Sequence, residues 1–111
     1  MTCEIDGKSF PVEQPASVND LRRLVRDAAA HGHAIYPIGG RTMLDFGLPP
    51  TRDGFALDTT RLDRVIDYPS RDMTITVEAG IRVAKLQEIL RAEGQRLPID
   101  VPSAEIGRAH V

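Results

Sequence analysis

The sequence has no tryptophan, one cysteine and only 5% aromatic residues. A core with so few large rings must be built mainly from Val, Ile, Leu and Ala. Because Cys3 has no second cysteine in the chain, an internal disulfide and a multi-cysteine metal site are both excluded.

Long apolar runs and an excess of positive charge are also missing. No segment approaches the ~20 apolar residues that cross a bilayer. The first residues, MTCEIDGKSF, do not show the basic and then apolar order of a secretory signal. We therefore expect no membrane span and a cytoplasmic location. The formal net charge of -2 argues against a nucleic-acid binder, which normally carries a basic excess.

What remains is the composition of an ordinary globular domain, 41% hydrophobic and 27% charged over 111 residues. Asp6-Gly7 between two short mixed segments indicates a hairpin. Ser17 followed by Asp20 predicts a helix start, and Gly32 predicts its end. Apolar residues at helical spacing lie between them, so a first amphipathic helix is expected here.

The rest of the chain alternates between strand and helix patterns. MTITVEAG places Thr74, Thr76 and Glu78 on one face and apolar residues on the other. Strands are also predicted at AIYPI, FALDTT, RVIDY and RLPID, with a helical turn at TRLD and a helix from Val83 to Glu93. Strands separated by helices indicate an α/β fold with at least some parallel pairing.

The last residues do not continue this pattern. EIGRAHV corresponds to the translation of a widely used sequencing adapter, although an ordinary C-terminal tail remains the alternative. We therefore expect residues 105–111 to be a non-native tail. Residues 15–104 would then form the N-terminal part of a longer domain, and residues 1–14 a hairpin or an N-terminal extension.

The segment YPIGGRTMLDFG directly follows a predicted strand and holds three glycines. Backbone N–H groups around Gly39 and Gly40 can form a nest for an anion, because no Cβ keeps a phosphate away and positive φ is not strained for glycine. Arg41 would add charge and Thr42 a hydroxyl donor. The spacing matches neither the P-loop nor the G-x-G-x-x-G fingerprint. An anion nest and a plain strand–turn therefore both remain open.

Other polar residues have simpler interpretations. His31 and His33 flank the predicted helix end, and no third ligand is placed with them, so surface histidines are expected and no metal site. Asp58, Asp63 and Asp67 form a spaced acidic series. Capping of turns is the preferred interpretation of these residues, and a carboxylate site is the alternative.

From Pro15 to Pro102 the chain resembles the FAD-binding domain of the p-cresol methylhydroxylase / vanillyl-alcohol oxidase (PCMH-type) superfamily. Within it, the chain looks most like the FAD-binding subunit of bacterial glycolate oxidase. The resemblance is carried, in order, by QPASVNDLRRLVRDAAAHG, YPIGGRTMLDFG, ALDTTRLDRVIDY, MTITVEAGIRVAKLQEIL and GQRLPIDVP. It implies an incomplete first lobe of that domain, a small mixed or parallel sheet flanked by helices.

The resemblance also implies which residues bind FAD. The glycine loop would wrap the FAD diphosphate, and LPIDVP would lead toward a second flavin-contacting loop. The implied cofactor-binding residues are Pro37, Ile38, Gly39, Gly40, Arg41, Thr42, Met43, Asp100 and Pro102. Some members attach FAD through a histidine just after the glycine pair. Arg41 stands there in this sequence, which implies non-covalent FAD.

The implied function is oxidation of glycolate or a similar 2-hydroxy acid by hydride transfer to the flavin. Glycolate oxidase-like proteins further imply an iron–sulfur subunit and a second flavin subunit as partners. Substrate-binding groups belong to a later domain, so no catalytic residue is predicted here. The alternative is a non-catalytic fragment or interaction domain that does not bind FAD on its own. A cell-wall precursor reductase, which shares the fold, fits the TRLDRVIDY and LPIDVP segments less well.

Overall fold

The structure, a computed structural model, describes residues 1–42, 44–45 and 47–99. Two helices separate groups of strands, as the sequence predicted. In chain order they are β1 (Thr2–Ile5), β2 (Lys8–Glu13), α1 (Val18–His31), β3 (Ala34–Ile38), β4 (Gly54–Asp58), β5 (Val65–Asp67), a 3-10 turn (Ser70–Asp72), β6 (Thr76–Val77) and α2 (Val83–Arg91).

The main sheet has four strands in the order β1-β2-β4-β3. Asp6 and Gly7, with φ of 49° and 86°, form the predicted turn between β1 and β2. β1 and β2 are antiparallel, whereas β2 and β3 both run parallel to β4. The carboxyl ends of β2, β3 and β4 therefore lie at one edge of the sheet.

Helix α1 connects β2 to β3 and forms as the capping pattern predicts. The Oγ of Ser17 accepts a hydrogen bond from the N–H of Asp20 at 3.2 Å. Gly32 ends the helix with a left-handed φ of 68°. The sheet core consists of buried apolar side chains, including Phe10. The ring centroids of Phe10 and Tyr36 lie 4.7 Å apart.

A second unit follows β4. β5 and β6 pair antiparallel, with an irregularity in the register between Val65 and Asp67. The N–H of Gly80 donates to the carbonyl of Leu62 at 2.8 Å, which joins the turn after β6 to the turn after β4. Helix α2 then packs Leu86 and Leu90 into the interior. The predicted α/β fold with a small mixed sheet is therefore confirmed.

Three local predictions need correction. TRLD forms an i→i+3 turn rather than a helical turn, with Leu62 N–H donating to Thr59 O at 2.9 Å. The predicted MTITVEAG strand shortens to β6, Thr76–Val77. Residues 96–99 of RLPID form no strand, because the side-chain amide of Gln87 takes the place of a neighbouring strand. It accepts from Leu97 N–H at 3.0 Å and donates to Leu97 O at 2.8 Å.

Candidate functional site

The predicted FAD loop starts at the carboxyl end of β3, an edge strand of the main sheet. Pro37 lies in that edge strand, where a missing N–H costs no ladder hydrogen bond on the open side. Ile38 is buried in the core, whereas Gly39 through Thr42 are exposed. Leu44 then packs back against the core cluster. The loop is thus anchored at both ends and presents its middle to solvent.

The backbone amides of this loop are unpaired within the described part of the chain. The carbonyl of Ile38 accepts from the N–H of Thr59 at 3.1 Å and from its hydroxyl at 3.3 Å. Beyond that point, the hydrogen bonds among the described residues include none from the N–H of residues 39–42. A loop with its amides already bonded to neighbouring carbonyls could not bind an anion. With respect to residues 1–42, 44–45 and 47–99, these four amides stay available.

The fold leaves room for a side chain at Gly39 and does not require a left-handed φ there. A Cβ on Gly39 would meet nothing within 4 Å, so it would project into the space that a ligand approaching the loop would use. Gly39 lies outside the left-handed region, and the positive φ of the loop, 63°, belongs to Arg41. Positive φ is therefore not the reason for a glycine at position 39, and close approach of a ligand stays a prediction.

A buried carboxylate lies beside the loop, at the end of β4. Asp58 is 6% exposed. One oxygen, Oδ1, accepts from Thr60 N–H at 2.9 Å and from the Thr60 hydroxyl at 2.6 Å. The other, Oδ2, accepts from the side-chain amide of Gln14 at 3.2 Å. Because Gln14 directly follows β2, this cluster joins the carboxyl ends of two parallel strands.

Arg41 completes the cluster from the third strand end. Its guanidinium Nη2 lies 3.7 Å from Asp58 Oδ2, and its side chain is 36% exposed. That distance is an ion pair but too long for a hydrogen bond. The Thr60 contacts support the interpretation of Asp58 as a turn cap. The contact with Arg41 was not predicted from the sequence. Only the pairing of β3 with β4 brings these two residues together.

The arrangement fits a diphosphate. The exposed residues 39–42, with the Arg41 guanidinium among them, follow the carboxyl end of β3, and ligands of open α/β sheets bind at such strand ends. Residues 39–42 would hold the phosphates by backbone donors, with Arg41 adding positive charge. Pro37 and Ile38 support this loop from the strand. The remaining predicted residues, Met43, Asp100 and Pro102, lie outside the described residues.

The other candidate residues do not converge on a site. The rings of His31 and His33 stack at 5.8 Å, and His31 Nδ1 lies 2.8 Å from the carbonyl of Asp27. Among residues 1–42, 44–45 and 47–99, no group of three or more His, Cys, Asp or Glu side chains could hold a metal ion. Asp63 pairs with Lys85 at 3.6 Å. No helix in the described part of the chain is long and apolar enough to span a membrane.

A second buried carboxylate, Glu78, directly follows β6. Glu78 is 6% exposed and forms hydrogen bonds with Arg64 through Nε at 3.0 Å, Nη2 at 3.3 Å and the backbone N–H at 3.0 Å. The side-chain hydrogen bond from Arg64, helped by its backbone N–H, lowers the pKa of Glu78 against the opposing effect of desolvation. The same contact raises the pKa of Arg64. This pair fixes the start of β5 to the end of β6 rather than forming part of the loop site.

Known proteins show the same domain. The sequence profile described as "FAD binding domain" matches residues 11–108. A D-2-hydroxyglutarate dehydrogenase of Xanthomonas citri pv. viticola is 34% identical over 86 residues, covering 78% of this chain and 18% of that protein. A probable mitochondrial D-lactate dehydrogenase of Danio rerio is 29% identical, covering 82% of this chain and 18% of that protein.

Solved structures agree with these sequence matches. An alkyldihydroxyacetonephosphate synthase superposes with a TM-score of 0.70 at 27% identity, over 81% of this chain and 17% of that one. The chain thus spans less than a fifth of the length of these relatives. The profile match extends to residue 108, into the predicted tail, and the domain boundaries drawn from sequence remain predictions. The chain belongs to the FAD-binding domain family of PCMH-type flavoproteins.

Proposed function

We propose that this chain forms the diphosphate-binding part of the FAD site in a flavin-dependent oxidoreductase that acts on glycolate or a similar 2-hydroxy acid. The observation that carries the proposal is the open row of amides at residues 39–42, next to Arg41, at the carboxyl edge of the parallel strands. Membership of the FAD-binding family supports the cofactor, and the names of two dehydrogenase relatives support the substrate class.

In this proposal the chain binds and orients the cofactor, and FAD supplies the acceptor for a hydride from the substrate carbon. The amides after β3 and the guanidinium of Arg41 hold the diphosphate. FAD is bound non-covalently, because Arg41 offers no nucleophile at the position where related proteins use histidine. Substrate-binding groups lie in the part of the flavoprotein that this chain does not span.

Glycolate is the smallest of the candidate substrates. D-2-hydroxyglutarate and D-lactate, after which two relatives are named, share with glycolate a hydroxyl group on the carbon next to a carboxylate. Pairing with an iron–sulfur subunit and a second flavin subunit belongs to the same proposal and rests on the resemblance to glycolate oxidase. A cytoplasmic location is also proposed, and it rests on the sequence pattern of the first residues and on the lack of a long apolar run.

The test uses the flavoprotein encoded by the complete reading frame. We expect the purified protein to show visible flavin absorption, and acid denaturation to release that flavin into a filtrate. Under anaerobic conditions glycolate, D-lactate and D-2-hydroxyglutarate are added separately, and bleaching of the flavin band identifies the substrate. A protein purified without flavin, and unable to take up added FAD, would contradict the proposal. Flavin retained on the denatured protein would contradict only the non-covalent attachment.

A second candidate is that the 111-residue chain by itself is a non-catalytic fragment. The chain spans 18% or less of the length of the two dehydrogenase relatives and the synthase structure, which favours this candidate. A diphosphate nest alone leaves the flavin and adenine rings exposed to water. Titration of the chain with FAD, followed by flavin fluorescence, is expected to show weak binding or none. Stoichiometric binding at low micromolar concentration would refute this candidate and leave the first one intact.

The net reaction of the parent is a further question for the same assay. One relative is named 1'-carboxy-chondrochloren decarboxylase and the structural neighbours are named as synthases. If FAD is bound but none of the three hydroxy acids bleaches it, the result would support the FAD site and contradict the proposed oxidation of 2-hydroxy acids.

A further inference from the structure

We propose that Asp58 is a positioning residue that holds Arg41 in place for the cofactor's diphosphate. The inference rests on the proposed function, and it concerns a carboxylate that makes no direct contact with the cofactor in this scheme. Asp58 lies at the end of β4, beside the loop that follows β3. The pair therefore connects the two strand ends between which the loop opens.

Asp58 is fixed by its own contacts. Thr60 donates both its N–H and its hydroxyl to Oδ1, and Gln14 donates to Oδ2, so three donors set the orientation of the carboxylate. The side chain is 8% exposed. A carboxylate with several neutral donors and little access to water stays in one place, and its negative charge is poorly screened. It can therefore attract a cation at a defined position.

Arg41 is held differently. Within the described residues its side chain makes an ion pair with Asp58 at 3.7 Å and no hydrogen bond. The guanidinium charge is therefore attracted to the Asp58 carboxylate, while its N–H donors have no hydrogen-bond partner among the described residues. Guanidinium donors match the geometry of phosphate oxygens. The backbone of Arg41 has a φ of 63°, which is unfavourable for a residue with a Cβ. A compensating attraction is needed at this residue, and Asp58 supplies it.

The same carboxylate would repel a diphosphate if Arg41 did not lie between them. Two opposite effects on binding are thus possible when Asp58 loses its charge. If Asp58 mainly positions Arg41, Asp58→Asn weakens diphosphate binding. If its repulsion dominates, Asp58→Asn strengthens binding. The proposal commits to the first sign, because the Arg41 guanidinium lies 3.7 Å from the carboxylate and offsets its charge.

The experiment uses the apoflavoprotein from the complete reading frame, with ADP and adenosine as competitors of FAD reconstitution. ADP carries the diphosphate and adenosine does not. We expect Asp58→Asn and Arg41→Ala each to weaken ADP binding on the order of tenfold, as for a charge-assisted hydrogen bond. We expect the double variant to be no weaker than Arg41→Ala alone. Adenosine binding should stay at the wild-type level in all three.

Asp58→Asn keeps an oxygen for the Thr60 N–H, so the turn can still form. Asp63→Asn is the matched control, because it removes the charge of an exposed aspartate paired with Lys85. It should leave ADP binding unchanged. Additive losses in the double variant, equal losses for ADP and adenosine, or tighter ADP binding by Asp58→Asn would each overturn the inference. A wild-type protein that does not bind FAD would instead refute the proposed function.

Discussion

Replacing Gly80 with alanine tests the contact between the turn after β6 and the turn after β4. A Cβ on Gly80 would lie 2.5 Å from the carbonyl carbon of Thr59 and 2.7 Å from the carbonyl oxygen of Leu62, and it would overlap Thr59 O. All three are backbone atoms. Gly80 also donates its N–H to Leu62 O at 2.8 Å. An added methyl group therefore cannot be accommodated by a side-chain rotation.

The expected cost follows from that geometry. Overpacking of a well-packed interior costs about 1–3 kcal/mol. The upper part of that range applies here, because the two turns must separate and their hydrogen bond must break. A loss of about 3 kcal/mol is a large part of the roughly 5–15 kcal/mol that stabilises a domain. At a urea dependence of about 1.5 kcal/mol per molar, the midpoint of unfolding should fall by about 2 M.

Urea unfolding of the wild-type and Gly80→Ala chains, followed by far-UV circular dichroism, measures this shift. Gly39→Ala is the matched control, because its Cβ would meet nothing within 4 Å and its backbone lies outside the left-handed region. We expect the control to unfold at the wild-type midpoint. An unchanged midpoint for Gly80→Ala would show that the two turns are not packed as described, and the reasoning about the second unit would fail.

Three further predictions concern other contacts. Because Arg64 lowers the pKa of Glu78, this carboxylate stabilises the fold above the ordinary glutamate pKa of about 4.3 and loses that effect as pH falls. The urea midpoint of Glu78→Gln should therefore fall less on acidification than that of the wild-type protein. The same fall in both proteins would contradict the pairing. Gln87→Leu should lower the free energy of unfolding by about 1–3 kcal/mol, because both backbone groups of Leu97 lose their partner. An equal effect of Glu88→Leu, a change at an exposed position of the same helix, would contradict this. Gly39→Val should leave the melting temperature of the FAD-free flavoprotein unchanged and weaken FAD binding on the order of tenfold, as for a lost charge-assisted hydrogen bond. Unchanged FAD affinity would argue against the loop as the diphosphate site.

Local patterns predicted the elements whose determinants are close in sequence. Ser17 and Gly32 bound α1 because capping depends on residues within one turn of the helix end. Asp6-Gly7 forms its turn for the same reason. β3 and β4 followed from short apolar runs between turn residues, and the resemblance of ordered segments gave the family.

The errors occur where a distant residue decides the structure. Alternation placed Glu78 on the polar face, but Arg64, which precedes β5, supplies enough hydrogen bonds to bury it. RLPID has strand composition, yet the side chain of Gln87 satisfies Leu97 before a strand neighbour can. Asp58 was interpreted from its own turn alone. Its contacts with Gln14 and Arg41 depend on the strand order of the sheet, which no local spacing encodes.

The positive φ in this loop belongs to Arg41 and not to Gly39, which changes the interpretation of the glycine. If Gly39 were required by backbone conformation, an alanine there would strain the turn whether or not a ligand was present. Its φ lies outside the left-handed region, and the strained residue is Arg41, which has a nearby carboxylate to hold it. In the proposed site, a side chain at position 39 then has an effect only when the diphosphate approaches the loop closely. A stability measurement would not detect that effect and a binding measurement would, which is how a site built for a ligand differs from a turn built for the fold.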